Sequence, residues 1–307
     1  MFRFQAENVP IYSNYLKALN VAPSDVKNVA EIPFLPIQFF KSHEVLAADL
    51  AAELTFKSSG TTGQIRSQHH VHNGFFYDEM SEKGFSFIIG NPSDYCWLCL
   101  LPGYMERGDS SLVHMCKHFT QISKYEASGF YLDDFEGLNQ QIQLLEYEAI
   151  PTVLIGVSFA LLDFGAAFPQ KLQHVKVMET GGMKGRKKEI TRAELHGIFE
   201  KSFGTSTIMS EYGMTELLSQ AYAVSNGQFQ APPWMRIVIR DLRDPFSPAR
   251  SGKSGGINVI DLVNVHSCAF IATEDVGRLS DSNTFEVQGR IDQSEARGCN
   301  LMVSDLQ

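Results

Sequence analysis

Between residues 54 and 203, short apolar runs alternate with longer amphipathic stretches, and this alternation restricts the possible folds more than any other feature of the 307-residue chain. Residues 96–101, 152–155 and 175–178 are apolar runs of strand length, whereas 135–147, 158–168 and 186–203 carry apolar residues at helical spacing. Strand–helix–strand succession implies βαβ units, so the expected class is α/β with a mostly parallel sheet covered by helices. After Trp234 the pattern changes. Runs at 236–240, 256–261, 270–273 and 284–289 are separated by Gly, Pro, Ser, Asp and Asn, which mark the turns of a β-rich, antiparallel portion. The expected division is therefore 1–233, an α/β core, and 234–307, a β-rich subdomain with a short tail. Near the N-terminus Val9, Tyr12, Tyr15, Leu16 and Leu19 recur at helical spacing around Pro10, and 32–37 reads as a proline-punctuated connector.

Composition narrows the functional classes. There are 26 Lys and Arg against 35 Asp and Glu, a net charge of −9, which argues against a nucleic-acid or anionic-membrane partner. No apolar run reaches bilayer-spanning length and the first residues lack a signal-peptide pattern, so no membrane insertion is expected. The five cysteines form no disulfide framework, which places the chain in the cytoplasm with reduced thiols.

Two segments carry chemistry. Strand 54–57 runs into Ser58-Ser59-Gly60-Thr61-Thr62-Gly63, where glycines allow a tight turn and close backbone approach, and four hydroxyls add donors for an anion. A Ser/Gly surface turn has the same composition. A nucleotide-hydrolase P-loop does not, because Gln64-Ile65-Arg66 follows in place of Lys-Ser/Thr. Downstream, Glu211-Tyr212-Gly213-Met214-Thr215-Glu216 follows a strand at 207–210 and precedes an apolar run expected to be helical. Tyr212 offers a flat face to a purine and Gly213 permits close approach. Thr215 can donate to a phosphate, and Glu216 is a hard oxygen ligand suited to Mg²⁺. Between the two lies Glu179-Thr180-Gly181-Gly182, ending a strand and opening a helix, where Gly181 and Gly182 let a planar base lie against the backbone.

These segments, in this order, resemble the adenylate-forming enzymes: acyl-CoA synthetases, luciferases and peptide-synthetase adenylation domains. The resemblance implies a large adenylation core, ATP gripped by Ser58–Gly63 and flanked by Gly181 and Gly182, and an adenylate site at Tyr212, Gly213 and Thr215 with Mg²⁺ on Glu216. Most members continue the first loop with Pro-Lys, and Arg66 is the substitute cation here. Thr273-Glu274-Asp275 resembles the family segment whose Asp binds the ribose hydroxyls, and Gly289-Arg290-Ile291-Asp292 resembles the hinge whose Arg contacts ribose and phosphate. In the wider family about a hundred further residues follow the hinge, an extent typical of a small domain. That domain and its lysine are expected to be absent here.

A narrower resemblance joins residues 32–41, 101–111, 181–186 and above all 292–302 to the acyl-protein synthetases, relatives of the phenylacetate–CoA ligases. It implies a fatty or other carboxylic acid substrate, acyl transfer to Cys299, and hand-over to a reductase or carrier protein. Arg297 would lower the thiol pKa; the other reading of Cys299 is an inert packed thiol. Coenzyme A as direct acceptor is one alternative, and an adenylate-binding scaffold without catalysis is another. Three further groups carry two readings each. Cys96 and Cys99 have metal-ligand spacing but sit in a buried strand; His69, His70 and His72 cluster but alternate in direction; Asp109 and Ser110 touch substrate or cap a helix from Ser111. Phe85, Phe87, Trp97, Phe130 and Tyr131 are core or acyl-pocket residues.

Overall fold

Residues 1–59, 65–102, 108–181, 190–280 and 284–291 are described in the computed structural model of the chain. The N-terminal helical stretch is two helices, α1 (Phe2–Asn8) and α2 (Pro10–Ala18). Pro10 lies in the first turn of α2, where its missing N–H leaves nothing unpaired, and Val9 before it is extended. A two-residue strand, β1 (Leu35–Pro36), and a single helical turn, α3 (Phe39–Ser42), interrupt the connector. Then β2 (Leu54–Lys57) and β3 (Gln68–Val71) pair antiparallel.

The α/β portion follows: α4 (Gly74–Ile88), β4 (Cys96–Leu100), α5 (Ser111–Ile122), β5 (Gly129–Phe130), α6 (Phe135–Tyr147), β6 (Thr152–Val157), α7 (Ser158–Ala167), β7 (Val175–Thr180), α8 (Arg192–Phe203), β8 (Ile208–Tyr212) and β9 (Ala221–Ala223). The strands form one sheet in the order β5-β4-β6-β7-β8-β9, parallel except for β9. Every residue of β4 and β6 is buried, which explains why these strands read as continuous apolar runs. Cys96 and Cys99 are core residues of β4. Helix α8 starts at Arg192 rather than 186, behind a capping box in which Thr191 and Glu194 satisfy each other's backbone amides. Residues 182–189 lie outside the described ones.

The apolar run after Glu216 is not helical. Residues 213–220 form turns that lead into β9. The reason is a competing acceptor: the carboxylate of Asp261, fully buried, takes the amides of Leu218 and Ser219 at 2.9 Å each, so these amides have no need of helical carbonyls.

The second sheet comprises β10 (Met235–Arg240), β11 (Gly255–Asp261), β12 (Phe270–Leu279) and β13 (Phe285–Arg290), all antiparallel neighbours, with β1 parallel on β12. β1 and β13 share one edge of β12: Leu35 pairs with Ile271, and Asp275 with Arg290. The core under this sheet takes Tyr12, Leu16 and Leu35 together with Ile257, Val259 and Phe270. Segments from both sides of the 233/234 division thus pack as one layer. The buried side chain of Gln5 completes the junction, donating to the carbonyls of Asn264 and Val265 and accepting from the Ala269 amide. Among the described residues no helix is long and apolar enough to cross a membrane.

Candidate active site

A cavity of about 430 Å³ opens where the carboxyl ends of β6, β7 and β8 face β12 and β13. In an open parallel sheet, this is the side on which loops are free to receive a ligand. On its hairpin wall stand Ser58 and Ser59. The Ser58 amide donates to the Ser67 carbonyl (3.0 Å) and the Ser67 amide to Ser58 Oγ (2.9 Å), which closes the loop at its base. Gly60, Thr61, Thr62 and Gly63 lie outside the described residues, as do Gly182 and Cys299. Arg66 is not a free cation. Its guanidinium grips both oxygens of Asp109 at 2.8 and 3.1 Å and donates to the Lys57 carbonyl at 3.2 Å, pinning hairpin to α5. Ser110 next to it caps α5 through the Val113 amide. Both Asp109 and Ser110 also line the cavity.

Gly181, at the end of β7, has φ +68°, a left-handed conformation that a side chain would strain, and its carbonyl accepts from Ser158 at 2.7 Å. At Gly213 a Cβ would fall 2.3 Å from the Glu211 carboxylate, so the bare backbone lets that carboxylate fold beneath the turn. Gly181, Gly213, Thr215, Glu216, Asp275 and Arg290 all border the cavity. Tyr212 is placed differently. Its ring packs against Phe229 and Phe285 in the second core rather than bordering the cavity, and its hydroxyl donates to Asp275 Oδ2 at 2.9 Å. Its contribution as it stands is to orient Asp275.

The 215–219 turn is held from three directions. His69 lies fully buried between the Thr215 carbonyl and the Ser267 hydroxyl, 2.9 Å from each. Because a carbonyl only accepts, Nδ1 carries the proton and Nε2 receives the hydroxyl. Burial holds this imidazole down at about 4, so it is neutral. Asn264 donates to the Glu216 carbonyl at 2.9 Å, and Asp261 takes the amides that follow. His70 turns to Thr55 and His72 to the Ala51 carbonyl, so the three histidines diverge. No cluster of three or more metal-ligating side chains occurs among the described residues.

Glu216 is 5% exposed, and burial pushes its carboxyl pKa up, against the opposing pull of the Ser67 hydroxyl and of Lys41 and Arg290. Asp275 is likewise pushed up by burial and drawn back by Arg290, whose Nε is 3.5 Å from Oδ1. Among the described lining residues, Lys41, Lys57, Arg66 and Arg290 face five carboxylates: Asp109, Glu211, Glu216, Glu274 and Asp275. This lining carries no excess of positive charge to neutralise a polyphosphate, and Glu216 is a buried oxygen donor fit to hold a divalent cation.

Sequence reasoning missed Lys41, Lys57, Tyr77 and Gln220 as lining residues, and His69, Asp261 and Asn264 as supports. Lys41 and Lys57 ended segments already singled out, and the pairing of β1 with β12 brings the first of these segments beside the cavity. The aromatic residues considered for an acyl pocket do not border the cavity: Phe85 and Trp97 are fully buried in the first core, and Phe87 is 55% exposed. The described cysteines are buried and free. Burial pushes Cys268 up to about 12, and Cys116 is raised by its hydrogen bond with the Cys99 thiol and by burial, so neither is an activated thiol.

No protein-family profile matches the chain, and no curated protein does. Solved structures do. ATP-bound MatB from Rhodopseudomonas palustris superposes with a TM-score of 0.57 at 18% identity, over 77% of this chain and 47% of that one. The O-succinylbenzoate coenzyme A synthetase of Bacillus subtilis, in complex with ATP and magnesium, gives 0.52 at 17%, over 77% and 49%. The 2-hydroxyisobutyryl-CoA ligase, in an open conformation with its acyl-adenylate and coenzyme A, gives 0.66 at 11%, over 95% and 67%. The chain spans about half the length of the first two. What it shares with these proteins, at such identities, is the mixed α/β fold of their adenylation core.

Proposed function

We propose that the chain activates a carboxylic acid with ATP as an acyl-adenylate and passes the acyl group to a thiol. One observation carries this reading: segments near residues 58, 181, 215, 275 and 290, which the sequence marks as nucleotide-binding, border a single cavity. In the first step a carboxylate oxygen of the acid attacks the α-phosphorus. The bond to the bridging oxygen breaks, and pyrophosphate leaves with the electron pair. Ser58, Ser59, Lys41 and Lys57 are the groups to bind the phosphates, and Thr215 donates to the α-phosphate. Asp275, oriented by Tyr212 and Arg290, accepts from the ribose hydroxyls. Glu216 would hold Mg²⁺, which when bound supplies charge neutralisation. Catalysis on this reading is positioning and charge stabilisation without a general base.

In the second step the thiolate of Cys299 attacks the acyl carbonyl carbon and AMP departs, leaving a thioester for a reductase or carrier protein in the cytoplasm. The resemblance suggests a fatty acid as substrate. With labelled acid and MgATP, label should stay on the protein, be released by neutral hydroxylamine, and be lost in Cys299→Ser while pyrophosphate exchange persists. Undiminished label on the Cys299→Ser protein would end the cysteine's role. Little protein label with a strong response to coenzyme A would replace it by a coenzyme A ligase, and absence of exchange by a binding scaffold.

A further inference from the structure

One polar group in the cavity has no task in the adenylation steps. Gln220, in the turn before β9, borders the cavity yet is only 6% exposed. Its amide nitrogen donates to the Tyr77 hydroxyl at 3.4 Å, and that hydroxyl donates in turn to the Ser111 carbonyl at 3.1 Å. The amide oxygen has no hydrogen-bond partner. Exchanging the oxygen and nitrogen assignments does not cure this. It would set an oxygen against a hydroxyl already committed as a donor and leave the N–H₂ unmatched. A buried amide with one unmatched end is uncommon in a folded protein, and it is the feature a ligand would complete.

Its position says which ligand. The hairpin and Glu216 stand where the phosphates go, and Asp275 and Arg290 where the ribose goes. Among the lining left over for the acid, Tyr77, Leu112, Met115, Val157 and Gln220 form one wall. Gln220 stands directly behind Gly213, with its Cγ 3.4 Å from where a Cβ there would be. Tyr77, 1% exposed, lines this wall, and behind it the hydroxyl of the buried Tyr222 is 3.7 Å from the sulfur of Met115. The end of this wall is therefore a hydrogen-bonding amide and not an open apolar tunnel.

We propose that Gln220 is a specificity-determining residue: the acid carries a hydrogen-bond donor, a hydroxyl or an ammonium group, which the Gln220 side chain accepts, in preference to an unsubstituted alkyl chain. This rests on the adenylation reading and narrows its substrate from carboxylic acids at large to hydroxy or amino acids, in place of an unsubstituted fatty acid. An alkyl chain packed on the amide would strip it of water and return no bond, whereas a donor makes one. Rotation about the terminal torsion of a glutamine is broad, so the oxygen can turn to the ligand.

The test is pyrophosphate exchange by the full chain with short straight-chain acids, each compared with its hydroxy and amino counterparts of equal length. The donor-bearing acids should exceed the plain ones in kcat/KM by about ten-fold or more. Gln220→Met keeps the length and removes the polar atoms, so it should level or invert that ratio. Gln220→Glu should shift preference from hydroxy to amino acids. Circular dichroism verifies that both variants fold, and the wild-type ratio decides the matter if either does not. Equal rates for plain and donor-bearing acids overturn the proposal, as does an unchanged ratio in a folded Gln220→Met protein. Exchange with long-chain fatty acids but with none of these short acids overturns this inference alone, and exchange with no acid of either kind overturns the adenylation reading and this inference with it.

Discussion

The two sheets that meet at the cavity are built from different materials and contribute different things. In the parallel sheet β4 and β6 bury every residue, nearly all of them apolar, and buried polar side chains gather toward the carboxyl ends of β7 and β8, at Glu179, Ser210 and Glu211; what this sheet offers the site is strand ends, turns and glycines. The antiparallel sheet hides polar groups in its interior. Arg240 there is 9% exposed and donates to the Ile257 carbonyl at 2.8 Å and to Asn258 at 2.7 Å, and Asp261 and Asp275 reach across to the other sheet. The 215–219 turn is thus carried by one sheet and kept in shape by the other. The lesson is that the geometry of the candidate site should be sensitive to residues that do not line its cavity.

The largest effect expected falls on the parallel-sheet turn itself. Glu216→Gln should lower pyrophosphate exchange about 10³-fold, equivalent to ~4 kcal/mol, with thermal stability undiminished, because burial already disfavours the charge at this position. A rate within a few-fold of wild type would remove the metal-ligand assignment. The next tests the opposite sheet. Asp261→Ala leaves the amides of Leu218, Ser219 and Val263 buried without that acceptor, so a loss of about 3 kcal/mol is expected in denaturant unfolding, with exchange falling as well. Full stability and full activity in this variant would erase the distinction drawn between the sheets.

The smallest effect is a pH dependence. The imidazole of His69 has a folded pKa depressed to about 4, below its ordinary value. The unfolded chain therefore takes up the proton first as pH falls. The stability His69 contributes is complete above its unfolded pKa and drains away toward the folded one. Between pH 6.5 and pH 5 the loss is about 2 kcal/mol by the usual 1.36 kcal/mol per unit. Buried Glu216, Asp261 and Asp275, whose values are raised, act in the opposite sense over the acid range, so the readout is the difference from His69→Gln. That variant should show a flatter acid limb in chemical unfolding; an identical limb would deny His69 its place as a neutral strut.

Much of the fold was legible because burial on both faces writes itself as uninterrupted apolar runs: α6 coincides with the stretch expected from periodicity, and β4, β6 and β7 fall within two residues of theirs. The helix expected after Glu216 failed for a reason local pattern does not contain, since Asp261, forty-odd residues on, satisfies its amides instead. The site was legible wherever function is written as contiguous motif: Ser58, Gly181, Thr215 and Asp275 converge as their segments imply. It was illegible wherever a single residue from a distant element enters. Lys41 merely closes the 32–41 segment, Gln220 has no motif of its own, and His69, one of three clustered histidines, is a bracket for Thr215.

The pairing of β1 with β12 sets a timetable for synthesis. Leu35 must wait for Ile271, and Gln5 for residues 264–269, before their partners exist. At the pace of a ribosome that interval is on the order of ten to fifty seconds. Through it, the apolar faces of α1 and α2 have nothing of their own sheet to cover them, while the parallel sheet, whose strands neighbour one another in the chain, can already assemble. The nascent protein should therefore present its first helices to chaperones until the last third emerges. Lysates in which elongation is slowed should lengthen that exposure and lower the yield of folded chain.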